Sequence, residues 1–419
     1  MKSNKIKDLD IEYYKEVLDN GLEVYLIPML NKKNYYISYA TKFGSDVVEF
    51  TNNGKKKKLI DGIAHFLEHK MFEQESGEDP FTYFSNSGTE ANAMTDYTST
   101  QYICYGTKNF SDNLDYLIKF VNAPYYTDSN VNKEKGIIAE ELKMYNDVPE
   151  YRLEMRLREC IYKDSPRRID IGGTEESINN ITKEDLYDCF NAFYIPSNMF
   201  IIISGNFDVD EALDIIKNNN DLIEKKSNVT ITNIKESKKV NIKEDIIYGD
   251  INIDKIGIGL KVEDDNKDKF NTYLYYLMIF TCLFGSTSIF RDKVDNLDLA
   301  YNFSYGLENY NDIYTLYIFS SSKDVDKLLE EIEYVFKNHK IKEEDFNRIK
   351  KTWIAKEVKA YDDVFEALDK NYNDIIRYGD IIDDVVDKIK DLNYKKMNNI
   401  LKNIDFKNTS IVRMKRKEK

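Results

Sequence analysis

The chain has 419 residues, a mass of 49.3 kDa, a formal net charge of −14 and an isoelectric point near 5.0. That length exceeds one ordinary core and points to two or more domains, and 42% hydrophobic residues, with 32 Tyr and 22 Phe, argue against disorder. The acidic balance excludes nucleic acid as a natural partner; it accounts for solubility, with a preference for basic ligands as the lesser reading.

The opening "MKSNKIKDLDIEYYKEVL" is basic but lacks an apolar core region, so no signal peptide is read. Asn20-Gly21 marks a turn, followed by strand-like "LEVYLIPM" and "NYYISYATKFGS". "NNGKKKK" (residues 52–58) reads as a polar loop with solvated lysines. A helix follows over "DGIAHFLEHKMFEQ", then strands within residues 88–108, and helical patterning from Asp112 to Tyr162. "MFIIISGNF" (residues 199–207) reads as a buried strand. The lysine-rich residues 224–241 read as a linker between an N-terminal domain, 1–223, and a C-terminal domain, 242–419.

The second half echoes the first. Strand "DINIDKIGIGLKV" is followed by helix "TYLYYLMIF", strands "LAYNFSY" and "IYTLYIFSS", and helices "DKLLEEIEYVF" and "EEDFNRIKKTWIAKEVKAY". "LNYKKMNNILKNIDFKNTSIVRMK" closes the chain as "LYDCFNAFYIPSNMFIIISG" closes the first copy. This implies a duplicated α+β unit, each copy an antiparallel-rich sheet packed with helices. The most apolar run, residues 272–284, is 13 long; it is too short for a bilayer and reads as a buried helix, so no membrane partner is expected. Cys104, Cys160, Cys189 and Cys282 are widely spaced with no C-x-x-C pair, which fits a reducing, cytoplasmic location.

Chemistry concentrates in "HFLEH". On a helix His69 lies about 40° round from His65 and one turn along, so both imidazoles can reach one Zn²⁺. Glu68 lies beside them, placed to hold a water; H-x-x-E-H inverts the thermolysin-type order and is the inverzincin signature. The competing reading is two helix-face histidines with a surface glutamate. A third ligand is sought in "NKEKGIIAEELKMYND", where Glu134, Ile138, Glu141 and Tyr145 share one helix face and Glu140 points toward the polar side. Glu141 on an apolar face is costly unless a metal or a basic side chain meets it. His339 stands in a polar turn and reads as surface.

Together these pieces resemble the pitrilysin/insulinase family of zinc peptidases, which includes the mitochondrial processing peptidase, over nearly the whole chain. The resemblance rests on "HFLEH", "GTEANAMT", "EKGIIAEELKMYNDVPEYR", "IGGTEESINNITKEDLYDCFNAFYIPSNMFIIISGNFD" and "GSTSIFRDKVDNLDLAYNFSY". It is nearest the short bacterial branch with two homologous domains. It implies one zinc ion per chain on His65, His69 and Glu141, Glu68 as general base, and Glu134 supporting the ligands from behind. Asn92 and Ala93 match the strand that pairs with an extended peptide substrate.

It also implies Tyr301 at the substrate oxyanion. The chain departs from the pattern in two places. Thr98 replaces a frequent glutamate, and Asp295 occupies the position of a substrate-facing arginine, for which Arg291 could substitute. The expected activity is zinc-dependent endopeptidase cleavage of peptides or unfolded segments, by a homodimer or a heterodimer with a related subunit. The alternative is a non-catalytic family subunit that serves as a scaffold or docks substrate.

Overall fold

The computed structural model describes residues 2–220 and 228–417. The chain forms two compact units. The first comprises Met1–Leu142, Asp170–Asn233 and Glu357–Asp384; the second comprises Lys143–Ile169, Ile234–Lys356 and Val385–Lys419.

In the first unit the strands are β1 (Lys2–Ile6), β2 (Ile11–Val17), β3 (Glu23–Pro28), β4 (Tyr35–Thr41), β5 (Glu49–Asn52), β6 (Lys55–Lys58), β7 (Glu90–Thr95), β8 (Thr100–Gly106), β9 (Met199–Gly205) and β10 (Val229–Ile231). Seven of them form one sheet in the order β1-β2-β3-β9-β4-β8-β7, antiparallel except where β3 meets β9. Gly21, at φ 93, turns β2 into β3 as its Asn-Gly signal implies. Helices α1 (Ile63–Met71), α2 (Pro80–Asn86) and α3 (Phe110–Val121) lie in this unit, and α4 (Asp128–Asn146) begins there.

Helix α5 (Pro149–Ile161) belongs to the second unit, and α6 (Glu175–Asn179), α7 (Lys183–Phe193) and α8 (Val209–Asn220) to the first. The second unit also holds α9 (Lys269–Phe284), α10 (Ile289–Asn296) and α11 (Val325–Asn338), and most of α12 (Glu343–Ala360). Helix α13 (Val364–Tyr378) returns to the first unit, and α14 (Val385–Asp391) and α15 (Tyr394–Asn403) to the second. The second sheet runs β11-β15-β12-β14-β13, built from β11 (Glu244–Gly249), β12 (Lys255–Glu263), β13 (Tyr301–Tyr310), β14 (Ile313–Ser321) and β15 (Thr409–Arg416). Its parallel pair β11–β15 occupies the place of β3–β9, so five strands of the first sheet, β3-β9-β4-β8-β7, are repeated in order in the second, and β1 and β2 are additions to the first.

The units differ from the expected contiguous halves, and the reason is burial. Strand β9 is buried along its whole length. Ile201 and Ile203 face the core that holds Phe66 and Leu67 of α1, while Phe200 and Ile202 pack with Leu368 and Tyr372 of α13. A strand covered on both faces needs a second helix layer, and that layer comes from residues more than 150 positions later. The second unit makes the reciprocal exchange. Leu153, Leu157 and Ile161 of α5 pack on Val412 and Met414 of β15, and Gly259 of β12 lets α5 approach, since a Cβ there would collide with Ile161.

Two expectations about loops are corrected. Asn53 and Gly54 both have positive φ and close a hairpin, so Lys55–Lys58 form strand β6 on β5 instead of a loop. Lys56 pairs with Glu49, and Lys57 with Asp185 and Asp188. Of the expected linker, residues 224–227 lie outside the described residues. The remainder carries β10, paired with β5, and a buried Glu236. His339, expected at the surface, is half-buried against Phe406. Helix α9, over the apolar run, buries Leu274, Met278, Ile279 and Phe280; continued through α10 it is long and apolar enough to cross a membrane by composition, but most of it is buried.

Glu236 accepts the backbone N–H groups of Lys163, Asp164 and Ser165 and the Lys261 ammonium at 2.7 Å. Burial alone would raise its pKa; Lys261 and the amides outweigh it and hold the carboxyl below its ordinary value. A depressed folded pKa contributes stability above the unfolded value, about 4.3, and loses it as pH falls through the folded value. Glu236→Gln should therefore cost about 3–5 kcal/mol at pH 7, as for a broken buried pair, and less below about pH 4. Denaturant midpoints of both proteins at the two pH values check this.

Candidate metal centre

Helix α1 begins at Gly62, which has φ 91 and caps the helix without a side chain. A Cβ at Gly62 would collide with the Gly172 carbonyl oxygen, and Ser177 Oγ donates to the Asp61 carbonyl at 2.8 Å. The "IGGTE" segment thus clamps the start of the helix. Ile63, Ala64, Phe66, Leu67 and Met71 anchor one side of α1 in the core, which leaves His65 and His69 on the other.

The two imidazoles lie 4.5 Å apart, centroid to centroid. Both Nε2 atoms aim at one carboxylate. His69 Nε2 is 3.4 Å from Glu141 Oε2, and His65 Nε2 is 3.9 Å from Glu141 Oε1. One donor atom from each of His65, His69 and Glu141 falls within 4.8 Å of the others; among the described residues no second group of this kind is found. Glu141 is partly exposed and Glu140 is exposed, as the α4 helix phase implies.

The chemistry of these donors fits a metal. Ligands about 2.0–2.1 Å from a tetrahedral zinc stand roughly 3.3 Å from one another, close to the spacing here. His65 Nδ1 is buried with no hydrogen-bond partner, and its Nε2 is too far from Glu141 for a hydrogen bond. The Nε2 edge of the ring faces the Glu141 carboxylate without a hydrogen bond to it, which leaves that nitrogen's lone pair for a metal. Burial, with His69 adding, pulls the His65 pKa down to about 3, which keeps the ring neutral as a ligand must be. Burial also lowers the His69 pKa, but the Glu134 hydrogen bond and nearby carboxylates outweigh it and the net shift is upward. His69 Nδ1 donates to Glu134 Oε1 at 3.1 Å, the contact that orients a metal-binding imidazole.

Glu68 is buried on the same helix. Burial raises its pKa, opposed by Thr95, whose hydroxyl donates to Oε2 at 2.6 Å. Sequence reasoning missed Thr95 as a partner, although it closes the "GTEANAMT" element, because only the fold brings β7 against α1. It also missed Lys70, which is fully buried beside Glu134.

Residues 55–175 match the family model described as Insulinase (Peptidase family M16), and residues 180–352 match the one described as Peptidase M16 inactive domain. The protein named "Uncharacterized zinc protease YmfH" of Bacillus subtilis (strain 168) is 38% identical over 295 residues, 69% of each chain. The chain belongs to peptidase family M16. The structure of an M16-like peptidase from Alicyclobacillus acidocaldarius is 29% identical to this M16 chain, covers 98% of it and 100% of its own length, and has a TM-score of 0.93. A protease from Helicobacter pylori shares the fold at 18% identity, covering 96% and 99% with a TM-score of 0.83.

Asn92 and Ala93 lie on β7, at the edge of the first sheet of this M16 chain. Thr98, where a glutamate is frequent, donates through its amide and hydroxyl to Asp96 Oδ1 in a tight turn. Tyr301 and Arg291 belong to the second unit. The Tyr301 hydroxyl donates to Asp298 at 2.9 Å, and Arg291 pairs with Asp295 at 3.0 Å over the Phe303 ring. So Arg291, read as a substitute for the arginine missing at Asp295, is bonded to that aspartate.

Proposed function

We propose that this M16 chain is a zinc-dependent endopeptidase that cleaves peptides or unfolded protein segments. The observation that carries the reading is the convergence of the His65 and His69 Nε2 atoms on the Glu141 carboxylate, with buried Glu68 on the same helix. His65, His69 and Glu141 would hold the ion, and Glu134 orients His69. Zinc there would lower the pKa of a bound water and polarise the scissile carbonyl. Glu68 takes the proton of the attacking water and passes it to the departing amide nitrogen. Its Oε2 accepts from the Thr95 hydroxyl, and burial makes the carboxylate a stronger base than a surface one. An edge strand offers backbone groups to an extended peptide, which supports Asn92 and Ala93 as substrate contacts.

The test is zinc content by elemental analysis together with cleavage of a fluorogenic peptide library by the full chain. About one zinc per chain and chelator-sensitive cleavage support the proposal. A zinc-loaded chain that cleaves nothing favours the scaffold reading. Tyr301→Phe is expected to lower kcat with metal content unchanged, by up to about 2.7–4 kcal/mol of transition-state stabilisation if its hydroxyl serves the oxyanion. Full activity of Tyr301→Phe alongside an inactive Arg291→Ala would move that role to Arg291. Sedimentation of the purified chain, alone and with a related subunit, distinguishes a homodimer from a heterodimer.

A further inference from the structure

Lys70 follows His69 directly, and its side chain has no exposure. Its ammonium pairs with Glu73, one turn on, and lies 3.4 Å from Glu134 Oε2. The other oxygen of the same carboxylate accepts from His69 Nδ1 at 3.1 Å. One buried carboxylate therefore bridges an imidazole and a buried ammonium.

A fully buried ammonium is costly, and Met or Leu would fill the same space without that cost. Here the ammonium meets two carboxylates, Glu73 and Glu134. A carboxylate tied only to an imidazole N–H could swing about its terminal bond. A cation on the second oxygen fixes the plane of the group and leaves the first oxygen aimed at Nδ1. A carboxylate accepts only, so Nδ1 carries the hydrogen, and Nε2 presents its lone pair toward His65 and Glu141.

We propose that Lys70 is a positioning residue of the metal centre: through Glu134 it holds His69 in the tautomer and orientation whose Nε2 can ligate zinc. The proposal rests on the zinc reading above. It assigns Lys70 no contact with substrate or metal.

The experiment compares four full-length chains: wild type, Lys70→Met, Glu134→Gln and the double variant. Zinc affinity is measured by competition with a chromophoric chelator, and thermal unfolding is followed on the metal-free proteins. Each single variant is expected to bind zinc about 10–100-fold more weakly. The double variant is expected to bind no more weakly than Glu134→Gln alone, because Lys70 acts through that carboxylate. Metal-free unfolding should show the same coupling, the double variant regaining stability that Lys70→Met loses.

Wild-type affinity in Lys70→Met, or losses that multiply in the double variant, would overturn the proposal. Should Lys70→Met not fold, the double variant lacks the unpaired buried charge and decides the matter. Affinity equal to that of Glu134→Gln supports the role, whereas further weakening or failure to fold makes Lys70 a packing element. A wild-type chain that binds no zinc fails the zinc reading and this proposal together. A wild type that binds, beside an unaffected Lys70→Met, fails this proposal alone.

Discussion

Glu68→Gln is expected to retain its metal and to lose about 10²–10⁴-fold in turnover, the range that general-base catalysis supplies. Gln matches Glu in size and can still accept from the Thr95 hydroxyl through its amide oxygen. What it lacks is a basic oxygen. The rest of the site should stay in place, because His65, His69 and Glu141 meet one another without Glu68. The loss should therefore fall on kcat, with metal content and KM near those of the wild type. Burial of Glu68 makes the variant informative: the substitution removes a buried charge and leaves no partner uncompensated, so stability should hold. Undiminished cleavage by a metal-verified Glu68→Gln protein would remove Glu68 from the chemistry.

His65→Ala, His69→Ala and Glu141→Ala are each expected to lose the metal on dialysis, while Glu140→Ala keeps it. The contrast between the two adjacent glutamates tests the site most sharply. They sit next to each other on α4, about 100° apart around the helix. Glu141 meets both histidines, whereas Glu140 is exposed. With a donor removed, two protein ligands remain, short of the three that a catalytic zinc normally has. Elemental analysis after exhaustive dialysis reads the result. Zinc retained by Glu141→Ala but lost from Glu140→Ala would show that α4 presents its other face to the histidines.

The local parts of this protein are legible in the amino-acid sequence because they depend on period and spacing. His65, Glu68 and His69 fall on one helix whatever surrounds it, since a turn of helix sets their angles. Glu141 could be separated from Glu140 by helix phase alone. The duplicated strand order, the apolar run of β9 and the turn at Gly21 follow from equally local signals. Tertiary structure alone decided the long-range matters. No periodicity reveals that Phe200 and Ile202 require α13, or that Glu236, in a polar lysine-rich stretch, is buried under three backbone amides and Lys261. The partners of Thr95 and Lys70 belong to the same class. Burying an apolar face or a charge is a demand that a sequence states, but the group that meets it can come from anywhere in the chain. So the candidate metal-binding side chains, and the Glu134 carboxylate behind them, were legible in the sequence, whereas the Thr95 hydroxyl on Glu68 and the Lys70 ammonium on Glu134 became visible only when distant segments met.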